Sequence, residues 1–202
     1  MHSTGPCLLL CSIVLASLFR LDDPDNAGGH GGIVTLYAHD DLQSSFDFRS
    51  GWAGGRVFDG EVHIEAAQIA FDLFAPGEIS IGFTRDERVD ALDLGPVVVP
   101  PQTRVRDRAE EFPISLFHTL FLGDNGFAYV GPGGDVDPYE RADRILTAPA
   151  TQGIRHFAPE VGHVYLLRAR RNDSSVIELF KFQVIGLLPE HSLTIRWARV
   201  SG

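Results

Sequence analysis

Cysteine is almost missing from this 202-residue chain; Cys7 and Cys11 are the two examples, both in an N-terminal apolar run. Beyond Cys11 there is no thiol, which excludes a disulfide framework, a thiolate metal site and a cysteine nucleophile from the rest of the chain. Lysine is scarcer still, with Lys181 standing alone. Positive charge is in deficit overall: 17 Lys+Arg stand against 27 Asp+Glu, a net charge of -10. That balance argues against a nucleic-acid partner, which calls for phosphate-neutralising cations. Long apolar runs are also lacking. The longest, Pro6 to Phe19, is shorter than the ~20 residues needed to cross a hydrocarbon core of about 30 Å. The H-E-x-x-H, P-loop and G-x-G-x-x-G patterns are absent, and the Gly77 to Gly82 stretch is one residue too long for a G-x-S-x-G elbow.

The short apolar run has a different use. It begins near the first Met and meets small residues at Ala16 and Ser17, the pattern of a secretory signal over residues 1–16. The leading MHSTG carries no Lys or Arg, so an N-terminal anchor or a buried segment stays open as the alternative. Cleavage after Ala16 would leave a chain without cysteine or transmembrane segment, placed in the periplasm, the cell envelope or the medium. Residues 17–32 are rich in Asp and Gly and read as an acidic linker; Asp22, Asp23 and Asp25 are expected to be solvated. Residues 33–202 form a single domain, with 44% hydrophobic residues in the whole chain to build its core.

From Ile33 onward the recurrent period is two. Phe46 and Phe48 alternate with Asp47 and Arg49; Ile69, Phe71 and Leu73 with Ala70 and Asp72; Leu193, Ile195 and Trp197 with Thr194 and Arg196. In a strand, such alternation sends one set to a core and the other to water. Strands are expected at Gly32–Ala38, Ser45–Arg49, Val62–Glu65, Ala67–Phe74 and Glu78–Thr84. A further three, His163–Arg171, Val176–Ile185 and Leu193–Val200, are joined by short polar turns as an antiparallel meander. The expected fold is mainly β, an antiparallel β-sandwich or open barrel with one or two short helices. One helix is predicted from Pro138 to Leu146, with Asp137 as N-cap, Pro138 at N1 and Glu140 at N3. A helical turn is predicted over Arg104–Glu111. The doubly apolar Ile114–Leu122 reads as a buried strand before the Gly123-Asp124-Asn125-Gly126 turn.

Three blocks occur in a suggestive order: Ser45-Phe46-Asp47-Phe48-Arg49-Ser50-Gly51, then Gln68-Ile69-Ala70-Phe71, then Gly162-His163-Val164-Tyr165 leading into Phe180-Lys181-Phe182-Gln183-Val184 and Leu193-Thr194-Ile195-Arg196-Trp197. Together they resemble the HmuY-like secreted β-proteins over about a third of the chain. Gln68 stands where that family has Asp, and no histidine here aligns with a haem ligand. The resemblance implies an exported, mostly antiparallel protein and raises haem as a cofactor.

Candidate site residues follow from side-chain chemistry. The chain has eight histidines. His118 lies among Phe117, Leu120 and Phe121, a setting suited to a haem face; His156 and His163 bracket a loop; His63 and Glu65 share a strand face, half a zinc site. Asp124, Asp135, Asp137 and Glu140 surround a Gly-rich turn able to offer carbonyls, as calcium requires. Asp86, Glu87, Asp90 and Asp93 interleave with arginines and read as a solvated loop. Arg168, Arg170, Arg171, Arg196 and Arg199 would bind an acidic partner if they shared a sheet face. Trp52 in its glycine-rich loop is expected to tuck under the sheet as an anchor, with stacking on a glycan as the alternative. Trp197 belongs to the core. The expected function is that of an exported, non-catalytic binding or surface-associated domain for a small ligand, a glycan or a cell-surface component. The alternatives are a haem or metal-ion carrier and a hydrolase with dispersed carboxylates.

Overall fold

The structure, a computed structural model, describes residues 31–54, 56–58, 61–64, 66–96, 116–131, 133–149 and 151–200. The export signal, nearly all of the linker, Glu65 and the Arg104–Glu111 turn lie outside the described residues, as do the side chains of 56–58 and 61–63. Fifteen strands and two short helices are described: β1 (Gly31–Tyr37), β2 (Ser45–Asp47), β3 (Trp52–Ala53), β4 (Arg56–Phe58), β5 (Glu61–His63), β6 (Ile69–Phe71), β7 (Ile79–Ile81), β8 (Glu87–Asp93), α1 (Leu116–Thr119), β9 (Leu120–Gly123), β10 (Gly126–Val130), β11 (Val136–Pro138), α2 (Glu140–Thr147), β12 (Arg155–Phe157), β13 (Val164–Arg171), β14 (Ile177–Leu188) and β15 (Ser192–Arg199). The fold is mainly β and antiparallel, as the alternation predicts, and no sheet closes into a barrel.

A central sheet in the order β1-β15-β14-β13-β8 faces an outer sheet in the order β12-β7-β6-β2-β3. The C-terminal meander supplies three consecutive strands of the central sheet, and β1 closes one edge by pairing Leu36 with Leu193 and Tyr37 with Ser192. The inward residues of both sheets form one core: Phe46, Ile69, Phe71, Ile79 and Ile81 from the outer sheet, with Tyr165, Leu167, Phe180, Phe182, Ile195 and Trp197 from the central one. Phe48 is its hub, with ring centroids 4.9 Å from Phe46, 5.3 Å from Phe180, and 5.8 Å from both Phe182 and Trp197. Such offset and edge-on arrangements add to the burial of the rings themselves.

The other face of the central sheet is covered in part. The small sheet β11-β10-β9 and both helices pack Leu116, Phe117, Leu120, Phe127, Ala142 and Ile145 onto Val164, Leu166 and Leu179. This double burial explains Val164–Leu167, a near-continuous apolar run in a strand with a core on each side. Among the described residues, no helix is long and apolar enough to cross a membrane.

Several local expectations need correction. β1 begins at Gly31, inside the expected linker, because glycines permit its close approach to β15. A Cβ on Gly31 would lie 2.9 Å from the Trp197 carbonyl oxygen. The helix predicted from Pro138 starts at Glu140 with Tyr139 at its N-cap. Asp137 and Pro138 are instead spent on β11, opposite Tyr129 and Ala128, and the Tyr139 N–H continues that ladder to the Phe127 carbonyl at 2.7 Å. Sheet pairing has outcompeted a local cap. The described part of the apolar Ile114–Leu122 run, from Leu116 on, divides into a helical turn and β9, since Leu116 and Phe117 reach the second core from a helix. Asp86 lies just before β8, and Glu87, Asp90 and Asp93 belong to that strand rather than to a solvated loop; Glu87 and Asp90 are buried because each meets arginine.

Candidate functional site

Register builds a groove on the uncovered part of the central sheet's second face. Tyr37 lies opposite Ser192 and Ser192 opposite Leu188, so the three side chains form one cross-strand row over β1, β15 and β14. The residue in the middle is small, and both of its neighbours are largely exposed. The row forms the floor of an open groove of about 590 Å³. His39, Asp40 and Gln43 from the turn after β1, with Glu190 and His191 from the turn before β15, form its rim. The sequence shapes these turns through polar residues. Asp40 Oδ1 accepts the N–H groups of Leu42 at 2.9 Å and Gln43 at 3.2 Å. The Ala38 N–H meets the His191 carbonyl at 2.8 Å and ties the two turns together.

Backbone strain concentrates here. Among the described residues, the non-glycine positions with positive φ are His39 (57°), Asp72 (61°) and Glu190 (60°). Two of them line the groove, and the third reaches one of the two. Asp72 Oδ2 lies 3.0 Å from His39 Nδ1, with its side chain 1% exposed. Among the described residues that oxygen accepts no hydrogen bond. The second oxygen accepts the Gly77 N–H at 2.6 Å. Left-handed backbone in side chains of this kind persists only where the surroundings hold it, and such residues gather at binding sites. Among the described residues, the side chains of Tyr37, Gln43, Glu190, His191 and Ser192 make no hydrogen bond within the protein. The groove therefore presents an aromatic face, an aliphatic face and a rim of free donors and acceptors.

The histidines expected from sequence do not converge. His118 lies in α1 over the second core, where its Nε2 receives an Arg196 Nη1–H at 2.9 Å. Burial, then the charges of Arg196 and Lys181, push its pKa below the ordinary histidine value and keep the ring neutral. His156 points away from the sandwich core and meets Ser80 Oγ through Nδ1 at 2.8 Å, while its neighbour Phe157 turns inward. His163 sits at the end of the sandwich between two carboxylates. Its Nδ1 is 3.0 Å from Asp93 Oδ2 and its Nε2 3.1 Å from Glu160 Oε2. These three residues are the one group of potential metal ligands that clusters among the described residues. Each ring nitrogen already faces its own carboxylate, so the imidazole bridges two acids. Asp124 lies in the β9–β10 turn, Asp135 and Asp137 at β11, and Glu140 at the start of α2, all four exposed. They do not converge as a calcium site would require.

Trp52 is 75% exposed on the edge strand β3, opposite Asp47, and does not anchor its loop. The residue before it is the one that closes on the core: a Cβ on Gly51 would sit 3.1 Å from the Trp197 ring. The five C-terminal arginines do not share a face. Arg171 and Arg199 lie on the inward side of the central sheet, whereas Arg168, Arg170 and Arg196 lie on the other. Two cationic sites went unread in the sequence. Arg49 of the outer sheet's β2 end is bound by Glu87 and Glu178 of the central sheet, and Gln68 Nε2 adds a bond to Glu87 Oε2 at 3.2 Å. Burial opposes the Arg49 charge, but those two carboxylates outweigh it and hold its pKa above the ordinary value. Lys181 is the other. It lies within the second core, its Nζ 2.6 Å from the Leu120 carbonyl and 5.5 Å from the Phe117 ring centroid, and burial lowers its pKa to about 8.

Comparison of the chain with family models, with curated proteins and with solved structures finds no match. The geometry alone therefore carries the functional reading.

Proposed function

We propose that this protein is an exported, non-catalytic binding domain whose ligand is a glycan unit held in the groove over Tyr37, Ser192 and Leu188. The carrying observation is that cross-strand row. An aromatic ring and a leucine flank a hydroxyl, and a rim of His39, Gln43, Glu190 and His191 surrounds them. Sugar rings offer apolar C–H faces and equatorial hydroxyls, which such a mixed surface complements. His39 is braced by Asp72 and so is held in place before a ligand arrives, which lowers the ordering cost of binding. Haem carriage, the reading suggested by family resemblance, has less support. His118, His156 and His163 each have a partner and lie on separate elements.

A glycan array probed with the full chain, followed by calorimetry on the best hit, tests the reading. Tyr37→Ala and Leu188→Ala are each expected to weaken binding about tenfold or more. Melting temperature should hold, since both side chains are exposed. No glycan bound above background would sink the glycan assignment; full binding by Tyr37→Ala would move the site elsewhere. Export is tested by N-terminal sequencing of protein recovered from the envelope or medium, with a start at Ser17 expected. A start at Met1 would contradict it.

A further inference from the structure

A second site lies at the opposite edge of the same sheet face. Arg88 of β8 is directly opposite Arg170 of β13, and Arg170 is opposite Ile177 of β14. Like charges facing each other across antiparallel strands repel. The carboxylate beside them in the same pocket does not relieve them. Asp90, in the next row, already receives Arg168 Nη2 at 2.6 Å through Oδ2 and Arg155 Nη2 at 2.8 Å through Oδ1. Neither Arg88 nor Arg170 has an ion pair or hydrogen bond among the described residues. The C-terminal end of α2, where carbonyls would repel an anion, is also neutralised. Arg168 donates to the Ala148 carbonyl at 2.7 Å and to the Leu146 carbonyl at 3.3 Å.

These groups line a pocket of about 210 Å³. Three guanidiniums and one carboxylate give it a formal charge of about +2 in a chain whose net charge is -10. Its volume is below that of an ordinary drug-sized cavity, so it suits a head group rather than a whole large ligand. Leu146 and Ile177 add apolar walls. We propose that this pocket binds the oxyanion of a small organic acid, a carboxylate or a phosphate monoester, clamped between Arg88 and Arg170. Arg168 is the fixed cation beneath, held by Asp90 and the end of α2, and the two free guanidiniums supply charge-assisted, fork-shaped donors. The apolar walls take the first carbons of the ligand's stem.

The test is calorimetry and thermal shift on the full chain at low salt, with inorganic phosphate, butyl phosphate and butyrate as probes. Saturable binding of butyl phosphate or butyrate, weakening as salt rises, is expected. Arg88→Gln and Arg170→Gln should each cost about tenfold in affinity. Neither should lower the melting temperature of the free protein, because each removes a repulsion. Arg199→Gln, on the opposite face of the sheet, serves as the control and should bind as the parent does. Inorganic phosphate should bind more weakly than butyl phosphate, since it leaves Leu146 and Ile177 uncovered; equal affinity would overturn the stem assignment. No saturable binding by any probe, or unchanged binding in both glutamine variants, would overturn the site.

Discussion

The two faces of the central sheet are built to different ends. The inward face is saturated: aromatic rings interlock around Phe48, and the arginine that reaches its rim, Arg49, is met by two carboxylates. The other face is covered only in its middle, by the small sheet and two helices. On one side of that cover lies the Tyr37–Ser192–Leu188 groove; on the other lies the unpaired Arg88–Arg170 row. Arginine is structural on the first face, whereas on the second Arg88 and Arg170 stand uncommitted beside a committed Arg168. Capacity to bind is thus read from missing partners, not from the presence of charge.

Three changes break or sharpen this contrast. The largest effect is expected from Phe48→Ala, which empties the centre of the inward face. A loss of about 4 kcal/mol in unfolding free energy should appear in denaturant titration. A loss below about 1 kcal/mol would mean that the hub collapses around the gap. Next comes Arg49→Met, which leaves Glu87, buried to 4% side-chain exposure, without its main partner. About 3 kcal/mol should be lost. Adding Glu87→Leu should recover most of it, because an apolar pair replaces an orphaned charge. If the double variant is no better than the single one, the pair is not what holds the two sheets at that rim.

The smallest change probes the covered part of the second face. The folded state lowers the Lys181 pKa from 10.5 to about 8, so between those values the unfolded chain binds more protons than the folded one. Stability therefore rises with pH through this window, and below it the charged group imposes a constant cost. Lys181→Met should abolish that rise and, at pH 7, stabilise the protein by about 2 kcal/mol, the relieved desolvation less the lost bond to Leu120. Measurements are best kept below pH 10, since Tyr165, raised by burial to about 12, acts in the opposite direction above it. Parallel pH curves for parent and variant would show that Lys181 is charged at no cost.

Much of the sandwich was legible. Period-two alternation located β1, β2, β6, β7 and the C-terminal meander within a few residues, because one buried face imposes that pattern wherever a strand lies. β8 was not legible. Its Glu87, Arg88, Asp90 and Asp93 look like a solvated run, and the burial of Glu87 and Asp90 depends on Arg49 and Arg168, both distant in the chain. The capping signature at Asp137 was chemically sound yet lost to pairing with β10. The groove left no local trace either. Tyr37 and Ser192 are far apart in sequence, and only the register of β1 on β15 makes them neighbours.

What the sequence determined by itself is the class of fold: alternation, turn residues and scarce cysteine require a β-domain held by its hydrophobic core, since each of those signals acts over a few neighbouring residues. What tertiary structure decided is which polar residues are spent and which are free. Arg49 and Arg170 both stand near the end of a strand-like run, yet one is enclosed by Glu87 and Glu178 and the other faces Arg88. The physical reason is that an ionic group's partner is chosen by strand order and register, and those are fixed only when the sheets assemble.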